Sequence, residues 1–164
     1  MHPAQIEEQS LWRALQEIPD PEIPVLSIVD LGILRDVHIR ELADGGKEAE
    51  VTITATYMGC PAMDMISAEI HARLDSLGFS KINIIRAVTP AWTTDWMTEA
   101  GKEKLKAYGI APPDKRFRIP GNGVACPQCG SINTTLLSEF GSTACKALYR
   151  CEDCREPFDY FKCH

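Results

Sequence analysis

Apolar residues with the spacing of an amphipathic helix occur in two stretches of the chain. In the first, Leu11, Leu15 and Ile18 recur every three or four residues, and the prolines at positions 19 and 21 end the helix by Ile18. The second stretch is longer, and Gly78 stands where a glycine at a helix C terminus is expected. The apolar residues of this second helix are Met63, Ile66, Ile70, Leu74 and Leu77.

Three segments in the first 110 residues have the pattern of β-strands. Positions 35–42 alternate, and the turn at 44–46, Asp-Gly-Gly, suits a hairpin. The segment 48–57 is the clearest strand because apolar and polar residues alternate along its whole length, and 81–88 (KINIIRAV) is the third. The face of the clearest strand that we expect to be buried carries Ala49, Val51, Ile53, Ala55 and Tyr57.

The order of these elements predicts an α+β fold. Residues 95–108 add one or two short helices, interrupted at Gly101, so residues 1–110 should form an α-β-β-α-β-α domain with a mixed three-stranded sheet. Residues 111–123 are rich in proline and glycine and show no periodicity, which is typical of a linker. Residues 124–164 form the second predicted domain.

This second domain contains six of the seven cysteines. Two CxxC pairs, 126–129 and 151–154, are separated by 21 residues, close to the spacing of a four-cysteine zinc site. Two residues between cysteines let one turn direct both sulfurs at an ion about 2.3 Å away. Strands at 134–140 and 143–150 would complete a zinc ribbon. Four filled positions favour a structural zinc, with rubredoxin-like iron as the alternative; the ligands are Cys126, Cys129, Cys151 and Cys154.

The remaining cysteines of the tail have weaker patterns. Cys145 precedes Cys151 by six residues, about 20 Å along a strand, so it cannot share the same ion and is expected to be a small buried residue. Cys163 and His164 are a metal-binding pair in principle, but a terminal dipeptide frays easily.

Cys60 is the only cysteine before residue 125, and it lies between the best strand and the second helix. Pro61 fits the first helical position, which makes Cys60 the expected N-cap residue. The positive end of the helix dipole would favour its thiolate and a pKa below the usual value of about 8.5. Such a thiolate could hold a soft metal, accept an iron–sulfur fragment or act as a nucleophile. The alternative is an inert capping cysteine.

An acidic loop at 20–33 (DPEIPVLSIVDLGI) is the other unusual stretch. Its prolines restrict a segment that carries Asp20, Glu22 and Asp30. Rigid carboxylates can bind a metal or a partner. From the residues alone, capping and turn formation are the favoured explanation for Asp20 and Asp30.

Composition limits the possible functions. The chain has 164 residues and a formal charge of −6, so a broad basic surface for nucleic acid is not expected. No apolar run approaches the roughly 18 to 20 residues of a membrane span, and residues 1–9 lack the pattern of a signal peptide. We therefore expect a cytoplasmic protein without a membrane or nucleic-acid partner.

The two loops together resemble a known family. The acidic loop followed by TYMGCP at 56–61 resembles the MIP-type (DUF59) iron–sulfur assembly domain, in which the cysteine matched by Cys60 is important. The segments 89–98 (TPAWTTDWMT) and 139–164 extend the likeness to the PaaD family, the D components of phenylacetyl-CoA epoxidase systems. This resemblance implies an accessory function beside a di-iron oxygenase and an iron–sulfur flavoprotein reductase.

Two roles are compatible with that resemblance. One is a maturation factor that delivers a metal centre to the reductase or the oxygenase, the reductase being the favoured recipient, with Cys60 as a transient ligand of an iron–sulfur cluster and the acidic loop beside it. The other is a structural or regulatory subunit whose ribbon docks the oxygenase. The sequence contains no paired ExxH motifs, GxGxxG fingerprint or plant-type ferredoxin spacing, so it is not expected to catalyse epoxidation. A homodimer is compatible with either role.

Overall fold

A computed structural model describes residues 3–114 and 123–162, with residues 3–6 as backbone only. The chain divides into two compact units between Trp92 and Thr93, called here the N-terminal and C-terminal units.

The N-terminal unit contains a three-stranded sheet with two helices. Strands β1 and β2 form an antiparallel hairpin, and β2 pairs in parallel with β3, so β2 is central and the sheet is mixed, as predicted. A crossover through a helix is what a parallel pair requires, and α2 supplies it. The elements are α1 (Pro3–Leu15), β1 (Leu34–Glu41), β2 (Lys47–Thr54), α2 (Ala62–Ser76) and β3 (Lys81–Ala87).

The core of this unit follows the predicted periodicities. The inward residues of β2 and the apolar residues of α2 from Met63 to Leu74 are buried, and each large aliphatic side chain removed from water stabilises the fold by about 1.5–3 kcal/mol. Leu77, the last residue of the predicted stripe, follows the helix and is exposed. The other face of β2 is less exposed than alternation suggests, since Glu48 is buried and pairs with Lys81 at 3.0 Å. The central core residues are Leu15, Ala49, Val51, Ile53, Ile66, Ile70 and Leu74.

Two element ends differ from the prediction. The first helix ends at Leu15, three residues before the end of the apolar spacing, and Ile18 is buried in the following loop, where its carbonyl accepts from the Ile28 N–H at 3.0 Å. The apolar spacing therefore continued beyond the helix. Strand β2 ends at Thr54, so Tyr57 lies in the loop that leads to α2.

The C-terminal unit contains a four-stranded sheet with strand order β4-β7-β6-β5. The predicted interruption at Gly101 is wrong: the break lies between a short 3₁₀ turn at Thr94–Trp96 and the next helix, where Thr98 Oγ1 accepts from the Gly101 N–H at 2.9 Å. The elements are α3 (Glu99–Tyr108), β4 (Ile110–Ala111), β5 (Thr134–Ser138), β6 (Lys146–Cys151) and β7 (Pro157–Phe161).

The division between the units differs from the boundary expected at residue 110. Ile110 and Ala111 pair in parallel with Asp159 and Tyr160, so the first residue of the predicted linker is part of the ribbon sheet. Helix α3 precedes this strand directly and belongs to the same unit. The pairing is made to residues almost 50 positions later, which local periodicity does not reveal.

Within the described ranges, no helix has the length and apolar character needed to cross a membrane.

Candidate functional site

The four predicted metal ligands come together in the C-terminal unit. Their sulfur atoms all lie within 4.8 Å of one another, with Cys126 Sγ 3.7 Å from Cys154 Sγ and Cys129 Sγ 3.5 Å from Cys151 Sγ. A tetrahedron with metal–sulfur bonds of about 2.3 Å has sulfur–sulfur edges of about 3.8 Å. The donor set therefore fits a tetrahedral thiophilic ion, which these four residues would hold as a cross-link between two turns.

The backbone of each turn explains why the sulfurs converge. In the first turn, the Gly130 N–H donates to the Cys126 carbonyl at 2.9 Å, and Gly130 adopts a φ of 77°. In the second turn, Arg155 takes the same position with a φ of 69°, which is uncommon for a residue other than glycine. Both CxxC pairs thus close through a left-handed residue directly after the second cysteine.

Side chains also join the two turns. Ser131 Oγ donates to Asp153 Oδ2, and Asn133 Nδ2 donates to Asp153 Oδ1 at 2.9 Å. These bonds lower the pKa of the Asp153 carboxyl, the Ser131 bond first and the Asn133 bond second. The Asp153 carboxylate is therefore a charged hydrogen-bond acceptor next to the metal ligands but is not itself a ligand.

The electrostatics of the cluster favour a thiolate at Cys151. The backbone N–H of Cys154 donates to Cys151 Sγ and, although burial opposes the effect, lowers the pKa of Cys151 to about 7. Burial and the neighbouring sulfurs raise the pKa of Cys154, so the first thiolate of the metal-free cluster forms at Cys151, and a bound metal ion must displace the remaining protons.

Cys60 lies in a different environment, in the loop between β2 and α2. The structure corrects its expected capping role, because Pro61 is the N-cap residue and makes no side-chain capping bond. The helix begins one residue later than predicted. Cys60 still contacts its first turn, since the Ala62 N–H donates to Cys60 Sγ and the Met63 N–H donates to the Cys60 carbonyl at 3.3 Å.

The acidity of Cys60 also differs from the expectation. Burial raises the pKa of the Cys60 thiol above its usual value, and the negative charges of Glu22 and Asp20 raise it further. Hydrogen bonds from Tyr57 and from the Ala62 N–H act in the opposite direction but do not compensate. Cys60 is therefore a partly buried, protonated thiol at neutral pH that can form a thiolate when a cation binds.

Tyr57 links Cys60 to the acidic loop and was not identified as a site residue from the sequence. Its hydroxyl donates to Glu22 Oε1 at 3.1 Å and is also within hydrogen-bonding contact of Cys60 Sγ. Burial, together with Cys60 and Glu22, raises the pKa of Tyr57 strongly. The sequence did contain one indication: Tyr57 lies on the side of the strand pattern that was expected to be buried, and a buried tyrosine needs a hydrogen-bond partner for its hydroxyl.

The three acidic residues have different positions in the structure. Asp20 Oδ1 accepts from the N–H groups of Glu22 and Ile23 at 2.9 and 2.8 Å, and Asp30 Oδ2 accepts from the Ser27 N–H at 3.0 Å. These bonds are the turn-forming roles considered from the sequence. Glu22 reaches the Cys60 loop through Tyr57, and Asp20 lies near enough for its charge to act on the thiol.

Cys145 is buried, as expected, and its sulfur is 3.0 Å from Thr143 Oγ1. It is not one of the four converging sulfurs. The pair Cys163 and His164 lies outside the described residues.

Two protein families match separate parts of the chain. Residues 8–82 match the family described as iron–sulfur cluster assembly protein, and residues 112–162 match the PaaD zinc beta ribbon domain. The first match contains Cys60 and the acidic loop, and the second contains the four converging cysteines.

Individual proteins match either nearly the whole chain or about 60% of it. An Escherichia coli K12 protein that is named as one of the components of 1,2-phenylacetyl-CoA epoxidase is 49% identical over 98% of this chain and 94% of its own length. An Fe–S protein maturation auxiliary factor of Porphyromonas gingivalis is 36% identical over 60% of this chain and 90% of its own. The crystal structure of a DUF59 domain from Bacillus anthracis is 27% identical, with a TM-score of 0.55 over 62% of this chain and 93% of that one.

Proposed function

Because the chain belongs to the PaaD family of phenylacetyl-CoA epoxidase components, we propose that it is a cytoplasmic accessory protein that assists maturation of a metal centre in that system. The recipient would be the iron–sulfur flavoprotein reductase or the di-iron oxygenase, and the cargo an iron–sulfur cluster or its iron. Support comes from the match of residues 8–82 to cluster assembly proteins and from a relative named as an Fe–S maturation factor. The chain itself would not catalyse epoxidation.

The observation that carries this proposal is the environment of Cys60. Its thiol is partly buried, accepts from the Ala62 N–H and lies beside a hydroxyl and two carboxylates, those of Tyr57, Glu22 and Asp20. Negative charges beside a thiol disfavour an empty thiolate but favour a bound iron cation. A single thiolate leaves the other coordination positions of the cargo open, so the cargo can leave again.

The transfer step would be a ligand exchange without oxidation or reduction. A thiol of the recipient binds iron as its thiolate, the bond between iron and Cys60 Sγ breaks, and the proton released by the recipient passes to Cys60. One iron–sulfur bond forms for each one broken, and no electron is transferred. The raised pKa of Cys60 favours its reprotonation and therefore the release of the cargo.

The ribbon would have a different task. Four thiolates saturate a tetrahedral ion, and such a closed site has no position for water or cargo. We propose a structural zinc held by Cys126, Cys129, Cys151 and Cys154, whose binding stabilises the C-terminal unit.

The first test compares reductase produced with this protein, without it, and with its Cys60→Ser variant. Reductase from the last two preparations should be poor in iron and sulfide, and chemical reconstitution of its cluster should restore electron transfer. Cys145→Ala is the matched control, since that buried thiol lies in the C-terminal unit, and it should support normal loading. Normal cluster content in all preparations would overturn delivery to the reductase.

A second measurement separates maturation from a structural or regulatory role. Oxygenase and fully loaded reductase, purified after expression with this protein, should epoxidise phenylacetyl-CoA in its absence. A requirement for this protein in that assay would favour a constituent of the working complex instead.

A further inference from the structure

Three exposed apolar side chains lie around the Cys60 loop. Met58, two residues before Cys60, is 87% exposed; Met65, in the first turns of α2, is 60% exposed; and Val88, directly after β3, is 72% exposed. Single exposed apolar side chains are common on protein surfaces, so what distinguishes these three is that they flank the same loop.

The topology of the sheet brings these three residues to one end of the unit. Strands β2 and β3 are parallel and end together, with Thr54 paired to Ala87, so Val88 and the Cys60 loop leave the sheet at the same edge. Arg86 connects this edge to the start of α2, because its guanidinium donates to Asp64 Oδ1 at 2.8 Å and to the Met63 carbonyl at 3.3 Å.

The loop conformation keeps Met58 in solvent. Tyr57 is held by its bond to Glu22, and Gly59 turns the chain with a φ of 74° and no atom within 4 Å of the place a Cβ would occupy. Met58 therefore lies between Tyr57, which is anchored by its hydrogen bond, and the turn at Gly59, close to the Cys60 thiol that would carry the cargo.

We propose that Met58, Met65 and Val88, the apolar collar of Cys60, are the docking surface for the recipient's cluster-binding segment, an apolar stretch of chain that carries free thiols. This inference rests on the proposed function. The chemistry of ligand exchange determines the occupant: two sulfurs bound to one iron lie about 4 Å apart, so the accepting thiol must approach Cys60 Sγ that closely. The chain around that thiol must then cover the residues around Cys60.

The side chains of the collar suit such a transient contact. Methionine is flexible and polarisable, and it adapts to partners of different shape. Burial of an exposed methionine or valine gives affinity without a charge that would compete with the carboxylates beside the thiol. Docking should therefore depend on apolar contact at the collar, whereas cargo binding should depend on Cys60.

The test uses this protein loaded with a chemically reconstituted cluster, and the apo-reductase as the probe. Initial transfer rates are measured against reductase concentration for wild type, Met58→Glu, Met65→Glu, Met58→Leu and Cys60→Ser. Each glutamate variant should raise the half-saturating reductase concentration at least about tenfold, equivalent to about 1.4 kcal/mol, with cluster loading and maximal rate unchanged. Met58→Leu should retain most of the wild-type affinity.

Leu77→Glu provides the matched control. Leu77 is 51% exposed and follows the other end of α2, so the same change of charge there should leave the half-saturating concentration within about twofold of wild type. Wild-type transfer curves for both Met58→Glu and Met65→Glu, or an equal effect of Leu77→Glu, would overturn the collar. If Cys60→Ser loads and transfers normally, the proposed function fails; if only Cys60→Ser is defective, the proposed function stands and the collar is wrong.

Discussion

The Tyr57 hydroxyl donates a hydrogen bond to Glu22 Oε1 at 3.1 Å, and the two residues are 35 positions apart in the sequence. This bond ties the loop that carries Cys60 to the acidic loop. The same hydroxyl contacts Cys60 Sγ, so it can turn its single proton toward the carboxylate or toward the sulfur. The state of the thiol and the position of the acidic loop are therefore connected through one side chain.

Tyr57→Phe should make Cys60 less reactive. The hydrogen bond from the phenol to Cys60 lowers the pKa of the thiol, so losing this bond should reduce the thiolate fraction at neutral pH and slow the reaction. The measurement is the alkylation rate of Cys60 at pH 7.5, followed by mass spectrometry of the peptide that contains it.

Glu22→Gln is the control for that measurement because it should change the alkylation rate of Cys60 in the opposite direction. The charge of Glu22 raises the pKa of Cys60, and glutamine removes the charge but keeps an acceptor for the Tyr57 hydroxyl. Alkylation should therefore become faster than in wild type. A rate that falls in both variants would mean that they disturb the loop rather than the acidity of the thiol.

The stability of the protein should depend on Cys60 and Tyr57 at alkaline pH. Folding raises the pKa of the Cys60 thiol and of the Tyr57 hydroxyl above their ordinary values of about 8.5–9 and about 10. The folded state then retains protons that the unfolded state loses, so this contribution is fully present below about pH 9 and is lost as the pH rises. Urea unfolding between pH 8 and 11 should show a steeper loss for wild type than for the double variant Cys60→Ser, Tyr57→Phe. Identical slopes would contradict the raised pKa values.

The ribbon metal should be necessary for folding of the C-terminal unit. We expect about one zinc per chain and a colourless protein, and Cys151→Ser should lose the metal together with hydrogen-exchange protection of β6 and β7. Cys145→Ala, which changes a buried sulfur outside the cluster, should keep the metal. Elemental analysis and exchange measurements decide this point; stoichiometric iron with visible charge-transfer bands would replace zinc with a redox centre.

Gly59→Ala should reduce the stability and the transfer function together. Nothing lies within 4 Å of the added methyl group, so the cost, about 1–2 kcal/mol, comes from holding alanine at a φ of 74° beside Cys60. Gly45→Ala is the matched control because Gly45 has a φ of 84° in equally open space, in the hairpin between β1 and β2. Both variants should lower the urea midpoint, but only Gly59→Ala should slow cluster transfer. Normal transfer by Gly59→Ala would show that the turn does not position the thiol.

Local pattern was sufficient for much of the architecture. The stripe from Met63 to Leu74 predicted α2, and alternation through Ala49, Val51 and Ile53 predicted the central strand, because burial on one face imposes the period of the backbone on the sequence. The same reasoning was wrong about where α1 ends, since Ile18 is buried in a loop that has no backbone period.

The spacing of the two CxxC pairs by itself determined the four-sulfur cluster, because each pair needs only one tight turn to direct its sulfurs. The position of Cys60 before a helix was also evident from its neighbours. The acidity of the Cys60 thiol was not evident from the sequence. The helix dipole can be inferred from neighbouring residues, but desolvation and the charges of Glu22 and Asp20 depend on which distant segments pack against the thiol. Tertiary structure likewise decided the contact between Tyr57 and Glu22 and the pairing of Ile110 with Asp159, since long-range hydrogen bonds leave no periodic signal in the residues that form them.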